Sequence, residues 1–496
     1  MATFNRACGV LMHISSLPGN TGIGTLGKNA YKFVDFLKKA GQSYWQILPI
    51  CPTSYGDSPY QAFSTFAGNP YFIDLDFLAE EGYLAESDFK KIKWSSENTD
   101  VDYGLLYKER HNLFSVLQKN FTKNKPPLYE DFCTENSFWL DDYALFMAVK
   151  DAHDGRAFGT WEEGIRKREK GAVEEWTSKC AQRIEYYKML QFFFFSQWKS
   201  LKEYANRNGI KIIGDLPIYV AADSSDVWTS PKQFELDENF VPLEVAGCPP
   251  DAFTADGQLW GNPVYDWDYM KNDGYLWWKK RIEVSLKTYD ILRIDHFRGF
   301  DTFYAIPYGE KTARVGAWKP GPGIDLFESL KKDLGDLPII AEDLGYTTDS
   351  VRKLLKDTGF PGMKVLQFSF GPEEGNENLP SNFISNSVVY TGTHDNDTLK
   401  GWLRDASEFE KDNAMKFLGL SDENKIPKAM MEYAISSKPD TCILTMQDLI
   451  GLDSSARMNK PSTLGTNWRW RATEEQITDE IASFLYENSK KSGRLH

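Results

Sequence analysis

Eight short apolar, β-branched runs recur along this chain, most of them separated by segments of helical period, which is the pattern of βα units feeding a parallel sheet. They are Ala7 to Met12, Tyr44 to Leu48, Lys211 to Leu216, Tyr289 to Ile294, Pro338 to Ala341, Met363 to Phe368, Ser387 to Thr391 and Thr441 to Thr445. Between the first two, Phe33, Phe36, Leu37 and Ala40 fall at helical spacing and Gly41 follows as a stop signal. Leu326 to Leu334 and Ser350 to Asp357 repeat that unit. Eight alternations favour an α/β fold closed into a (β/α)8 TIM barrel over an open doubly wound sheet.

Roughly 160 residues separate the second and third runs, far beyond an ordinary crossover. The expected organisation is therefore residues 1–50 for barrel strands one and two, 51–209 for an inserted, mostly helical subdomain, and 210–496 for the rest of the barrel. Trp139 to Lys150 and Ile184 to Tyr204 read as helices of the insertion. A smaller insertion with a lid loop is expected at residues 218–287. Its stretch Val245 to Asn262 is rich in Gly, Pro and Asp, the composition of an irregular loop over a site. About 50 residues follow the eighth run, enough for a closing helix but not for a C-terminal β-sandwich.

Charge and composition exclude several function classes. Lys and Arg number 57 against 71 Asp and Glu, and a net charge of −14 repels a phosphate backbone, so nucleic acid is set aside. No stretch approaches the roughly 18 apolar residues of a membrane span, and Phe192 to Phe195 is flanked by Gln191 and Gln197. Met1 to Val10 lacks a basic and an apolar signal region, so the N-x-T matches at Asn120 and Asn396 read as chance. Cys8, Cys51, Cys133, Cys180, Cys248 and Cys442 lie far apart without a C-x-x-C pair. Reduced thiols in a cytoplasm are the simpler reading.

In a parallel barrel the strand ends converge on one rim, and here they repeatedly carry acids. Asp215 follows the third run, Asp295 the fourth, Glu342 and Asp343 the fifth, Asp395 and Asp397 the seventh, and Asp448 the eighth. Any one of them could be a helix cap or an ion-pair partner. Crowded like charges are costly and raise pKa values, which marks the set as a functional site. Two carboxylates of separated pKa can cleave a glycosidic bond, one attacking the anomeric carbon and the other protonating the leaving oxygen. Arg293 stands two positions before Asp295 on the same strand face, where its charge is expected to keep that Asp ionised; a structural ion pair is the alternative. His13, His296 and His394 also fall at strand ends, which raises a metal site as the rival. Met12 and Ile14 flank His13, so the first strand lacks an H-x-H pair, and no metal is expected.

Aromatic residues make up 14% of the chain, and most must be core. Tyr55, Tyr60, Phe253, Trp260, Trp468 and Trp470 lie instead in polar, Gly/Pro-rich stretches. A flat apolar face beside hydrogen-bonding groups suits a sugar ring, so these read as candidate subsites.

At these residues the sequence resembles the amylomaltases, or disproportionating enzymes: 4-α-glucanotransferases of glycoside hydrolase family 77 in the α-amylase clan. The likeness runs from GVLMHISSLPG (Gly9 to Gly19) through SPYQAFSTFAGNPYFIDLD, GDLPIYVAADSSDVW, PPDAFTADGQLWGNPVYDW, RIDHFRGF, AEDLG and THDNDT to GTNWRWR. The resemblance implies Asp295 as nucleophile, Glu342 as general acid/base and Asp395 as a third carboxylate that binds sugar hydroxyls. It also implies that Arg293 and His394 support the donor sugar, that Asp215 and His296 neighbour the cleavage point, and that Tyr60 and Trp260 are sugar platforms. Asp251, Phe253 and Gln258 would belong to a loop over the acceptor side, and Asn467 would contact substrate, although MNKPSTLGTNWRWR departs from the family's P-G-T pattern.

The implied reaction is a retaining double displacement that moves a segment of an α-1,4-glucan to the 4-hydroxyl of glucose or another glucan, with no cofactor. It requires the two carboxyls to lie about 5 to 5.5 Å apart. An α-glucan hydrolase using the same acids and a non-catalytic glucan-binding protein are the alternatives.

Overall fold

The computed structural model describes residues 5–54, 56–95, 98–250, 254–345, 347–372, 374 and 376–496. Its strands are β1 (Ala7–Leu11), β2 (Tyr44–Gln46), β3 (Lys211–Leu216), β4 (Glu244–Cys248), β5 (Gln258–Pro263), β6 (Ile291–Ile294), β7 (Thr302–Pro307), β8 (Ala317–Pro320), β9 (Ile339–Ala341), β10 (Gly362–Val365), β11 (Ser387–Tyr390) and β12 (Thr441–Thr445). β1, β2, β3, β6, β9, β10, β11 and β12 pair in that order, all parallel, and β12 closes back on β1. All eight runs become barrel strands, so the (β/α)8 TIM barrel expected from their alternation is the fold. The sixth run is cut short: β10 ends at Val365, and Leu366–Phe368 tighten into a 3-10 turn.

Alternation along each strand separates two layers. Leu11, Ile213, Ile291, Ile340, Val388 and Ile443 fill the barrel interior, while Ile212, Leu292, Ile339, Val389 and Cys442 face the surrounding helices. The interior is a packed core with little spare room. At Gly9 a Cβ would lie 2.5 Å from the Cβ of Tyr44, its register partner on β2, so only glycine lets those two strands approach. Each crossover helix has local reasons to start and stop. Asp349–Thr358 begins where Thr348 Oγ1 accepts from the Val351 N–H, buries Val351 and Leu354, and ends on Gly359 in the left-handed region.

One expectation is corrected. Val245 to Asn262 is not an irregular loop throughout: β4 and β5 pair antiparallel, and with β7 and β8 they form a second sheet in the order β5-β4-β7-β8. Gly and Pro dominated the local signal, whereas the pairing that makes β4 a strand comes from Thr302–Pro307, far along the chain.

Between β2 and β3 the described residues carry helices and turns, among them Tyr103–Lys123, Ser137–Ala152 and Ala181–Arg207. The two helices read from sequence lie within the last two of these. Ala181–Arg207 packs on Ser137–Ala152 and on the barrel helix Lys28–Lys39. Its run Phe192 to Phe194 is buried among Phe121, Tyr129 and Phe132. The flanking glutamines clamp a loop: Gln191 bonds both the N–H and the C=O of Gly68, and Gln197 does the same to Asp74. That loop descends from Tyr60 at the barrel mouth. Replacing Gln191 by Leu leaves two buried backbone groups of Gly68 unpaired, at a cost of about 2 to 4 kcal/mol. The expected outcome is a lower midpoint of thermal unfolding for Gln191→Leu, measured by circular dichroism.

Candidate active site

β3 and β6 are adjacent, with Asp215 directly opposite Arg293 in the register and both side chains inside the barrel. Nη1 of Arg293 lies 2.7 Å from each oxygen of Asp215, and the Tyr60 hydroxyl donates to Asp215 Oδ2 at 2.7 Å. The Asp215 side chain is fully buried and that of Arg293 is 3% exposed. This pair is the floor of the barrel mouth. Asp295, two residues beyond Arg293 on the same face, has Oδ1 3.1 Å from the same Nη1 while 29% of its side chain stays accessible.

β9 lies on the other side of β6, with Ala341 opposite Ile294. Asp295 and Glu342 are the next residues of these two strands, and the ladder continues through them, Glu342 N–H donating to the Ile294 carbonyl and Phe297 N–H to that of Glu342. The two acids therefore stand on neighbouring strands whose backbones run about 4.8 Å apart. The carboxylate of Glu342 accepts from the N–H of His296 at 2.7 Å and from that of Leu344 at 2.9 Å. His296 adopts φ 49°, a conformation uncommon outside glycine, as the chain leaves β6 for the 3-10 turn Phe297–Phe300. Its ring meets Trp260 edge-on at 4.8 Å, and its buried Nε2 has no hydrogen-bond partner. Burial, aided by Arg298, pushes the His296 pKa down to about 3, so the ring is neutral.

His394 and Asp395 follow β11. The His394 ring stacks on Tyr60 at 5.2 Å, and its Nε2 lies 3.4 Å from Asp395 Oδ1. Burial lowers the His394 pKa. Two residues that the sequence reading did not single out hold this segment. Asn459 donates from Nδ2 to Asp395 Oδ1 at 2.7 Å and from its N–H to the His394 carbonyl, and Arg457 donates to the Asp395 carbonyl at 2.5 Å. Both stand in a polar stretch whose only signal was its place just before the aromatic motif.

The second sheet brings in Trp260, partly buried on β5. Its indole N–H donates to Gln258 Oε1 at 3.1 Å, and its carbonyl accepts from Gln61, which also donates to Asn262 Oδ1. Gln61, beside Tyr60, thus ties β5 to the mouth and was also not singled out from sequence. Asp251, Phe253 and Tyr55 lie outside the described residues.

Several sequence candidates have other work. Asn467 turns its amide onto Lys460 and Thr463 and closes its own loop. Trp468 and Trp470 are 5% and 7% exposed, so neither is an open platform; Trp468 backs Tyr60 and His394, and Trp470 belongs to the outer core. Asp343 caps the N–H of Met363, Asp397 accepts from Ser454, and Asp448 accepts from Thr391 and Leu399. His13 is neutral, its pKa pushed by burial down to about 3, and its Nδ1 accepts from the Leu48 N–H. Among the described residues no three His, Cys, Asp or Glu side chains converge as metal ligands.

The expectation that Arg293 keeps Asp295 ionised is not met. Desolvation outweighs the guanidinium and pushes the Asp295 carboxyl up to about 8. The neighbouring carboxylates Glu342, Asp215 and Asp395 push it the same way. Burial raises Glu342 as well, opposed by Arg293 and by the two backbone N–H donors on its carboxylate. Two neighbouring acids that both resist ionisation titrate as a pair around a shared proton.

Comparison with known proteins identifies the family. The family model described as 4-alpha-glucanotransferase, glycoside hydrolase family 77, matches residues 12–477. The 4-alpha-glucanotransferase of Clostridium butyricum is 49% identical over 97% of this chain and 100% of its own length. That of Thermus thermophilus is 43% identical over 99% of both. Among solved structures, the amylomaltase of Streptococcus agalactiae in complex with acarbose superposes with a TM-score of 0.97 at 43% identity, covering 99% of this chain and 100% of that one. No helix among the described residues is long and apolar enough to cross a membrane. The chain belongs to the 4-alpha-glucanotransferases of glycoside hydrolase family 77, transferases that act on α-1,4-glucans.

Proposed function

We propose that Asp295 and Glu342 perform the glucan transfer as nucleophile and general acid/base. The adjacency of the two acids on hydrogen-bonded strands, with Arg293 held by Asp215 beneath them, carries this reading. In the first step Asp295 attacks the anomeric carbon, the bond to the leaving glucan oxygen breaks, and the proton on Glu342 moves to that oxygen. In the second an acceptor 4-hydroxyl attacks the same carbon, its proton goes to Glu342, and the ester bond to Asp295 breaks. Two inversions restore the α-1,4 linkage. No cofactor enters either step.

The shared proton must sit on Glu342 when Asp295 attacks. Positive charge developing at the anomeric carbon next to Asp295 stabilises the Asp295 anion and draws the proton to the partner acid. Asp395, held by Asn459, binds sugar hydroxyls and opposes the same charge in this reading. Tyr60 and Trp260 supply flat faces, and Arg293, His394, Asp215 and His296 shape the donor side. Asp251, Phe253, Gln258 and Asn467 are proposed for the remaining contacts by family likeness. A relative with acarbose bound supports a glucan-type ligand in this chain too. The same reading divides the chain into barrel residues 1–50 and 210–496 and a helical insertion at 51–209 that contributes Tyr60 and Gln61, with lid segments in 218–287. Six free cysteines support a cytoplasmic location.

Incubation with maltotriose tests transfer directly: a ladder of longer glucans plus free glucose is expected, and shortening alone would mean hydrolysis. Glu342→Gln should reduce kcat by about 10² to 10⁴. Mass spectrometry of that variant during turnover should find a glycosyl adduct on Asp295, and its absence overturns the nucleophile assignment. Asn459→Ala frees Asp395 and should cut kcat by about ten- to a hundredfold with a smaller change in KM.

The pKa of Asp295 makes a separate prediction about stability. Its folded value of about 8 stands above the ordinary 3.8, so the folded chain binds more protons than the unfolded one between those values, and stability falls as pH rises through that window. Asp295→Asn removes that loss. Its thermal midpoint should match the parent near pH 4 and exceed it increasingly toward pH 8.

A further inference from the structure

On the outer side of the barrel a cavity of about 660 Å³ lies among the helices Leu399–Asp405, Glu408–Leu418, Ile426–Ser436 and Asp479–Lys491. Its volume is that of a small-molecule site. No residue of the catalytic mouth lines it. Its inner wall is Asp448, whose carboxylate is fully engaged by Thr391 and the N–H of Leu399.

The chemistry of the walls is unusual for a chain of net charge −14. Lys400, Arg404, Lys411 and Lys428 line the cavity from three different helices, against the exposed rim carboxylates Glu423 and Glu480. Lys400 and Arg404 are four apart and so share a helix face. The Lys411 side chain is only 15% exposed, and its partner Glu408 is 87% exposed. Lys400 enters no ion pair among the described residues; its ammonium lies 3.6 Å from where a Cβ on Gly451 would stand. Between the cations the surface is apolar: Leu403, Pro427, Met431, Leu452 and Phe484. Arg404 also pairs with the exposed Asp405, and Lys428 stands 4.0 Å from Glu432, so these cations are countered from outside the cavity by exposed or half-exposed carboxylates. With Lys400 they favour a multiply charged group such as a phosphate, which carries up to two negative charges at neutral pH. The aliphatic walls suit an apolar body on the same molecule. A second glucan site is disfavoured, because Phe484 is the sole aromatic face lining the cavity and sugars bind by stacking and by dense hydrogen bonding.

We propose that this cavity is a binding site for an organic phosphate with an apolar ring, of the nucleotide class, separate from the glucan site. The anionic group sits among Lys400, Arg404 and Lys411, and the ring lies against Leu403 and Phe484.

The test uses the full chain, with 1-anilinonaphthalene-8-sulfonate as a fluorescent amphiphilic anion and adenosine monophosphate as competitor. The dye should bind with one-site saturation, and adenosine monophosphate should displace it. Lys400→Glu/Lys411→Glu should weaken both ligands at least tenfold, and Leu403→Trp, which fills the cavity, should abolish both. Glucan transfer on maltotriose, which none of these residues performs, should persist and reports that each variant is folded. If the double variant does not fold, the exposed single substitution Lys400→Glu takes its place, with a severalfold weakening expected. Failure of adenosine monophosphate to displace the dye overturns the proposal, as does unchanged binding in the folded variants. Inorganic phosphate competing as well as adenosine monophosphate overturns it too, since that marks a bare cationic patch.

Discussion

The guanidinium of Arg293 lies 2.7 Å from both oxygens of Asp215 and 3.1 Å from Asp295, and the site is arranged around that contact. Its position follows from strand register, which sets Asp215 and Arg293 opposite each other. A buried carboxylate and a buried guanidinium cannot be left single, so each fixes the other. Once fixed, the pair exerts two effects on its surroundings. It anchors Tyr60 through the hydroxyl bond to Asp215, and Tyr60 in turn stacks against His394. It also presents to Asp295 a cation shared with Asp215, and the pull of that cation is outweighed by the burial of Asp295.

On the proposed reading, this is how one acid pair can be both buried and reactive. An Asp295 with undivided access to Arg293 would be a stable anion with little tendency to exchange its charge for a covalent bond. In the proposed mechanism, sharing Arg293 with Asp215 leaves the Asp295 anion poorly solvated and ready to combine with an electrophilic carbon. Glu342 has the complementary arrangement, because two backbone N–H groups receive its carboxylate when the proton is given up. The first of those donors, the His296 N–H, stands at a left-handed turn, so on the proposed reading the unusual backbone there is tied to the acid's role.

The barrel and its acid-bearing rim were legible in the sequence because both rest on local pattern. Each strand is a short apolar run, and each of Asp215, Asp295, Glu342 and Asp395 stands where its strand ends. The rest depends on partners that are distant in sequence. β4 becomes a strand only by pairing with β7, and Asp395 acquires its orientation from Asn459 and Arg457. Asp343, Asp397 and Asp448 look like the reactive acids in one dimension, yet each closes a hydrogen bond that holds a strand-end loop. Residue type and spacing cannot separate these groups. Aromatic residues divide the same way: Trp468 and Trp470 lie in a polar motif, but the chain turns both inward.

The same distinction explains how the structural acids support the ones proposed to react. Asp448 joins Thr391 to the N–H of Leu399, the two ends of the segment that carries His394 and Asp395. Asn459 then holds that segment from the other side. Asp395 remains 43% exposed and so gains little orientation from packing, which makes these polar ties its main constraint. A barrel rim built from loops can hold a carboxylate to within a fraction of an ångström only if such ties are satisfied within the loops themselves. Acids that never meet the sugar are thus part of what makes the adjacent acids accurate.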